Sequence, residues 1–145
     1  MVLSDHYLIK QLIMEILIKR LNGEAKLPVY SREAGPGIDL YAAGETVLAP
    51  GQRVGVATGV AMGMPVGYVG LIWNQNTMVL GESVSVTKAM VDSGYREEII
   101  VELTNNGTEE RKIMPGERVA QMLVQKIEKA HLIEAEDLSN FKTGE

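Results

Sequence analysis

The 145-residue sequence contains no cysteine, two histidines, one tryptophan and one phenylalanine. The lack of cysteine excludes thiol nucleophiles, disulfides and cysteine-based metal sites, and it fits a reducing compartment such as the cytoplasm. The two histidines, His6 and His131, lie near opposite ends of the sequence. One chain therefore offers no imidazole cluster of the kind that a zinc hydrolase needs.

Basic residues are also scarce. Fourteen Lys and Arg against 19 Asp and Glu give a net charge of -5 and a pI near 5.1. Because no basic run is present, a nucleic-acid groove is not expected, although a free nucleotide needs only a few local donors. No membrane span is expected, since charged residues interrupt the most apolar segment. The length suits a single domain with one core.

Residues 1–23 predict an amphipathic α-helix. Ser4 or Asp5 can cap its start and Asn22-Gly23 can end it. Apolar residues cover most of its surface, and the polar ones recur every four positions at Gln11, Glu15 and Lys19. We expect the surface from Tyr7 to Leu21 either to pack on its own domain or to form a higher-order or hetero-assembly with another subunit or partner protein.

Residues 24–138 consist of short apolar runs separated by turn residues at intervals of about ten. This spacing predicts one all-β domain, a β-sandwich or jelly roll, and not a parallel sheet with crossover helices. Residues 139–145 predict a short, flexible polar tail. The candidate strands are Leu27 to Tyr30, Ile38 to Ala42, Arg53 to Ala57, Val60 to Met64, Tyr68 to Trp73, Val84 to Val91, Ile99 to Asn105, Arg118 to Ile127 and His131 to Ala135.

The stretch from Lys88 to Leu103 predicts a β-hairpin whose turn is Asp92-Ser93-Gly94. Asp92 follows the apolar pair Met90-Val91, where partial burial would favour its use as a general base. Tyr95 offers a flat face to a ring-shaped ligand. The alternative is an ordinary β-hairpin in which Asp92 only stabilises the turn.

Four stretches occur in a fixed order along this domain. They are Gly37-Ile38-Asp39-Leu40-Tyr41-Ala42-Ala43, Gly70-Leu71-Ile72-Trp73, Met90-Val91-Asp92-Ser93-Gly94-Tyr95 and Pro115-Gly116-Glu117-Arg118-Val119-Ala120-Gln121-Met122. Together they resemble the first motif, the strand before the second motif, the third motif and the fourth motif of the trimeric all-β dUTPase family. Members of that family hydrolyse dUTP to dUMP and pyrophosphate, so the resemblance implies a homotrimeric jelly roll that binds a deoxynucleoside triphosphate.

The resemblance also implies roles for individual residues. Asp92 would be the general base that takes a proton from the attacking water, and Asp39 would help to order a hydrated Mg²⁺ in its outer shell. The ion itself would be held by substrate phosphates and water, with no direct protein ligand. The implied substrate-binding residues are Tyr95 against the deoxyribose, Gln121 at the phosphate end, and Asn76, Met90 and Arg118.

The sequence departs from the family pattern in three places. Gln75, Asn76 and Thr77 stand where the second motif has a cation, a serine and a glycine, and Glu97 replaces the final glycine of the third motif. The glycine-rich C-terminal arm of the fifth motif is absent. An alternative is therefore a catalytically inactive trimer of this fold, natural or engineered, that serves as an assembly or partner-binding scaffold.

A second alternative is a dCTP deaminase, because those enzymes share the jelly roll and the opening Met1-Val2-Leu3-Ser4-Asp5 is similar to theirs. Glu102 falls where they carry the catalytic glutamate, which can move protons without a metal. Their Arg-Ser-Ser signature is missing from this sequence, however, and the chain is shorter than theirs. Glu102 is otherwise expected to be an outward-facing strand residue.

Overall fold

The computed structural model describes residues 14–31, 35–73, 81 and 83–139. Within these ranges the chain forms twelve β-strands and no helix, so the all-β prediction is confirmed. The strands are β1 (Leu17–Arg20), β2 (Val29–Tyr30), β3 (Ile38–Tyr41), β4 (Thr46–Leu48), β5 (Arg53–Ala57), β6 (Val60–Gly63), β7 (Tyr68–Trp73), β8 (Val84–Val86), β9 (Ala89–Val91), β10 (Ile100–Asn105), β11 (Arg111–Ile113) and β12 (Arg118–Lys126).

The described strands form four sheets in which every pair is antiparallel. The largest sheet has the order β2-β3-β12-β7-β9, and the next has the order β5-β10-β8. Two further pairs, β1-β6 and β4-β11, complete the set. Most of these partners are distant in the sequence, so the fold depends on long-range pairing and not on consecutive hairpins.

One hydrophobic core lies between the larger sheets. Burial alternates along β10, where Val101 and Leu103 are buried while Ile100 and Glu102 are exposed, as expected for a strand with one face on the core. The same buried cluster includes Ile72 of the five-stranded sheet. Each large side chain buried in this way contributes about 1.5–3 kcal/mol to folding.

The predicted N-terminal helix is wrong for the residues that the structure describes. Leu17–Arg20 forms strand β1, which pairs with β6 from Leu17 opposite Gly63 to Arg20 opposite Val60. All four β1 residues are exposed, so backbone hydrogen bonds to β6 hold the strand more than burial does. The free edge of β6 thus outweighs the local helical periodicity, and the β-branched Ile18 suits a strand. Residues 1–13 lie outside the described residues.

Other boundaries also differ from the sequence prediction. The run from Val84 to Val91 divides into β8 and β9, which join different sheets. Strands β4 and β11 were not predicted, since each has only three residues and they are stabilised by pairing with each other. His131 to Ala135 forms no strand in the described chain. No helix in the described part of the chain is long and apolar enough to cross a membrane.

Candidate active site

Asp39 is the centre of one polar cluster. It lies on β3 and is fully buried. Gln121 lies opposite it on β12, and Gln121 Nε2 donates a hydrogen bond of 3.1 Å to Oδ1 of Asp39. Arg118 Nη1 lies 3.4 Å from Oδ2 of the same carboxylate. A buried carboxylate needs such partners because removing an unpaired charge from water is costly. Three predicted site residues therefore meet at one place.

A β-bulge makes this arrangement possible. The register of β12 against β3 shifts between Arg118 and Ala120. In a regular strand, residues three positions apart point to opposite faces, so Arg118 and Gln121 would not both reach Asp39. The extra residue of the bulge turns Arg118 towards the same side as Gln121. Gly37 keeps the neighbouring backbone close, since a Cβ there would lie 3.1 Å from Cβ of Gln121.

Two positively charged side chains, Arg118 and Lys26, lie at or beside this cluster. Lys26 Nζ lies 4.1 Å from the centre of the Tyr41 ring, and Tyr41 is opposite Arg118 on β12. Burial raises the pKa of Tyr41, the negative charge of Asp39 raises it further, and Arg118 opposes both effects. Arg118 Nε is buried and has no hydrogen-bond partner among the described residues. Arg118 within the cluster and Lys26 on the Tyr41 ring beside it place two positive charges near one carboxylate, which suits binding of an anion.

The turn from Asp92 to Tyr95 is the second polar cluster. Asp92 Oδ1 accepts a hydrogen bond of 2.9 Å from the backbone N–H of Gly94, and the Tyr95 N–H donates to the Asp92 carbonyl at 3.3 Å. These contacts are typical of an aspartate that stabilises its own turn. Asp92 is exposed, so the expected partial burial is wrong for the single chain. The contact with Gly94 nevertheless orients the carboxylate.

The predicted hairpin around this turn is also wrong. β9, before the turn, pairs with β7, whereas β10, after it, pairs with β5 and β8 in another sheet. The turn thus connects two sheets. Local alternation of apolar residues identifies both strands but cannot assign their partners, which are distant in the sequence.

Tyr95 is held firmly although it lies close to the surface. Its ring packs against the hydrophobic core, and its hydroxyl donates a hydrogen bond of 2.6 Å to the Glu98 carbonyl. The Glu98 carboxylate in turn accepts a hydrogen bond of 2.8 Å from the backbone N–H of Gly59. Glu98 was not predicted from the sequence as a site residue. The spacing of three residues from Tyr95 was the available signal, since it allows contact within a compact loop.

The remaining predicted site residues lie elsewhere. Asn76 falls outside the described residues, together with the rest of 74–80. Met90 is 74% exposed on β9, two residues before Asp92. Glu102 lies on the exposed side of β10 and forms an ion pair with Arg53, whose side chain is also exposed. Glu102 is therefore an outward-facing strand residue, as the alternative prediction had it, and is not desolvated.

The two clusters lie well apart within one chain. Val91 pairs with Gly70 on β7, which pairs with Val124 on β12, so Asp92 lies about four residues along the sheet from Gln121. Four residues along a strand span roughly 13 Å, and two spacings between strands span roughly 10 Å. Because these directions are perpendicular, the backbones at Asp92 and Gln121 lie about 16 Å apart. A small ligand that contacts both clusters would need them from different chains, or a large movement within one.

Comparison with known proteins agrees with this arrangement of motifs. A family model described as dUTPase matches residues 23–145. A deoxyuridine 5'-triphosphate nucleotidohydrolase of Corynebacterium diphtheriae is 40% identical over 132 residues, which cover 89% of this chain and 87% of the relative. A protein of the same name from Syntrophotalea carbinolica is 36% identical over 134 residues, covering 90% of this chain and 91% of that protein.

This chain belongs to the dUTPase family. The resemblance seen in the sequence motifs is therefore confirmed. Solved structures of dUTPases are similar to this family member in fold. A dUTPase of phage phi11 of S. aureus aligns with a TM-score of 0.76 at 20% identity, covering 86% of this chain and 99% of that one. A Staphylococcus bacteriophage 80alpha dUTPase with dUpNHpp aligns with a TM-score of 0.78 at 20% identity, covering 89% and 92%.

Proposed function

We propose that this chain hydrolyses dUTP to dUMP and diphosphate, in the cytoplasm, where free deoxynucleotides are found. The observation that carries the proposal is the buried Asp39 carboxylate held by Gln121 and Arg118 on adjacent strands. These residues belong to the first and fourth family motifs, which are far apart in the sequence and meet only through the β3-β12 pairing. The relatives at 36–40% identity over most of the chain bear the name of this activity.

Asp92 is the proposed general base. The Gly94 N–H fixes one of its carboxylate oxygens, and the exposure of the side chain leaves it accessible to water. An ionised carboxylate within hydrogen-bond distance of a water molecule can take a proton as the water attacks a phosphate. Met90 and Tyr95 lie on either side of Asp92 in the sequence, and we assign them to the nucleoside. The Tyr95 ring would pack against the deoxyribose and leave no room for a 2'-hydroxyl.

Gln121, Arg118 and Asn76 are the proposed contacts to the phosphate end. Arg118 is suited to this role because one guanidinium nitrogen holds Asp39 while the side chain as a whole is 31% exposed. Guanidinium groups bind phosphate oxygens through charge-assisted hydrogen bonds. Since residues 75–77 contain no cation, Arg118 takes on a larger share of charge neutralisation than in relatives with a basic second motif.

The residues around Asp39 fit a Mg²⁺ held in the outer shell. Asp39 is buried and both of its oxygens have protein partners, so it would not coordinate the ion directly and would act on a metal-bound water only through Gln121 and Arg118. In the described part of the chain, no group of three or more His, Cys, Asp and Glu side chains is arranged to hold a metal. When bound through the substrate phosphates, Mg²⁺ neutralises charge on the triphosphate and the leaving group.

The proposed active unit is a homotrimer in which neighbouring chains complete each site. The separation of about 16 Å between the Asp39 cluster and the Asp92 turn supports this, because Asp92 and Gln121 are both proposed to act at the phosphates and lie too far apart to do so within one chain. The segment after β12 supports it as well. Leu132, Ile133 and Leu138 are 76–88% exposed, and contact with another subunit would bury this apolar surface.

The direct test is diphosphate release from dUTP in the presence of magnesium, with dCTP measured in parallel and the Asp92→Asn variant as the blank. Release from dUTP above the blank is the expected result. Ammonia release from dCTP would instead favour a deaminase, against which the ion pair of Glu102 with Arg53 argues. Absence of both products, with an intact trimer, would favour the inactive scaffold and would contradict the proposal.

A further inference from the structure

A chain of hydrogen bonds connects the Asp92–Tyr95 turn to the turn between β5 and β6. The Tyr95 hydroxyl donates to the Glu98 carbonyl at 2.6 Å, and the Glu98 Oε2 accepts from the Gly59 N–H at 2.8 Å. Gly59 is buried and Glu98 is half-buried. A hydrogen bond from a backbone N–H to a carboxylate is stronger than one between two neutral groups. Glu98 therefore links Tyr95 to Gly59, accepting from the Tyr95 hydroxyl with its backbone carbonyl and from the Gly59 N–H with its side chain.

The segment that carries Glu98 is anchored on its other side too. The buried Thr58 donates to the Ile99 carbonyl through Oγ1 at 2.7 Å, and Ile99 N–H donates to the Val60 carbonyl at 2.9 Å. The carbonyl of Gly59 accepts a hydrogen bond of 2.8 Å from Leu21, which follows β1. The two peptide groups that flank Gly59 are therefore both held, one by the Glu98 carboxylate and the next by Leu21.

The turn itself lacks other strong connections of this kind to the body of the domain, as far as the described residues extend. It follows β9, the edge strand of its sheet, and the described contacts of Asp92 are with its own turn. The position of the Tyr95 ring is set by packing at the core and by the bond to Glu98. A small rotation of the Glu98 peptide would move the acceptor and allow the ring to tilt.

We infer that Glu98 is a positioning residue that holds the Tyr95 ring against the sugar and thereby sets discrimination between dUTP and UTP. This inference rests on the proposed function. The ring excludes a 2'-hydroxyl only if it cannot move away from the sugar, and the Glu98 carboxylate on Gly59 fixes the carbonyl to which the ring is bound. Loss of the Glu98–Gly59 hydrogen bond would weaken binding of dUTP and allow the 2'-hydroxyl of UTP to fit. The ratio of dUTP activity to UTP activity would therefore fall.

The experiment compares kcat/KM for dUTP and UTP in the unmodified chain, Glu98→Ala and Glu98→Gln. We expect Glu98→Ala to lower the dUTP-to-UTP ratio by about tenfold, a size typical of a loosened specificity pocket. Glu98→Gln keeps an oxygen acceptor for the Gly59 N–H, so its ratio should stay within about twofold of the unmodified chain. A purely structural loss of folded protein would lower both activities equally, leave the ratio unchanged and so overturn the inference.

Glu110→Ala is the control, because it removes one negative charge from an exposed residue outside the four motifs. Its ratio should equal that of the unmodified chain. An unchanged ratio in Glu98→Ala, with dUTP hydrolysis intact in the unmodified chain, would overturn the inference and leave the proposed function standing. Titration with dUMP and UMP gives the same comparison without turnover. Failure of the unmodified chain to bind dUMP would overturn both.

Discussion

Asp39 and Gln121 face each other across the β3-β12 pair, and the hydrogen bond from Gln121 Nε2 to Asp39 Oδ1 measures 3.1 Å. Arg118 completes the pairing from the opposite oxygen of the carboxylate. The three side chains form one unit, because removal of any one leaves a buried polar group of another without its partner. Both the stability and the chemistry of this family member should therefore respond to substitutions here.

Replacing Asp39 by Ala should lower the free energy of unfolding by about 2–4 kcal/mol, because the substitution leaves Arg118 and Gln121 without their shared acceptor. Urea unfolding followed by circular dichroism measures this. The matched control is Glu102→Ala, which breaks the exposed ion pair with Arg53 and should cost less than about 1 kcal/mol. Equal losses of unfolding free energy in the two variants would show that the Asp39 cluster stabilises the fold no more than an exposed ion pair does.

Replacing Asp92 by Asn should abolish hydrolysis while leaving the fold unchanged. Asparagine keeps the side-chain oxygen that accepts from Gly94, but it cannot take a proton from water. Loss of a general base typically lowers the rate by a factor of about 10²–10⁴. Diphosphate release measures the rate, and an unchanged melting temperature checks the fold. Retention of full activity would remove Asp92 from the role of base.

Two inactive variants should restore activity when they assemble together. If each site takes the Asp39 cluster from one chain and the Asp92 turn from a neighbour, mixed trimers of Asp92→Asn and Gln121→Ala contain some sites with both halves intact. Random assembly of equal amounts gives about a quarter of the full number of intact sites. The measurement is dUTP hydrolysis after refolding the two chains together. Mixing without refolding is the control, and no recovery after refolding would mean that each site lies within one chain.

Replacing Gly59 by Ala should destabilise the fold more than replacing Gly51 does. Both glycines have a positive φ, of 72° and 78° respectively, so each alanine carries a similar backbone cost of about 1 kcal/mol. A Cβ at Gly59 would also lie 2.8 Å from the Ala25 Cβ, whereas no atom lies within 4 Å of one at Gly51. This crowding should add about 1–3 kcal/mol. Chemical denaturation of both variants gives the difference, and equal losses would contradict the close approach of Ala25 to Gly59.

Replacing Tyr41 by Phe should make the fold more resistant to alkali. Since burial and Asp39 raise the pKa of Tyr41 in the folded chain, the unfolded chain loses this proton first as the pH rises past about 10. Folding stability that is present below that pH is therefore lost as the pH rises through the higher pKa of the folded state. The urea midpoint of the unmodified chain should fall more steeply between about pH 9 and about pH 11 than that of Tyr41→Phe. Parallel curves would contradict this.

Most strands of the sandwich could be predicted from the sequence because their apolar residues alternate or run together between turns. Arg53–Ala57 and Tyr68–Trp73 were predicted at their observed bounds. Prediction failed at Leu17–Arg20, where a helical period of apolar residues competes with an available sheet edge. It failed again for β4 and β11, each too short to carry a pattern of its own.

The sequence by itself determined which side chains are present and in what order, and this was enough to identify Asp39, Asp92, Tyr95 and Gln121 through the motifs. Only the tertiary structure decided how they are grouped. The bulge before Ala120 turns Arg118 towards Asp39, and the assignment of β9 and β10 to different sheets separates Asp92 from Gln121. Both outcomes depend on which distant strands pair. Backbone hydrogen bonds are alike for every residue, so local sequence cannot specify that choice.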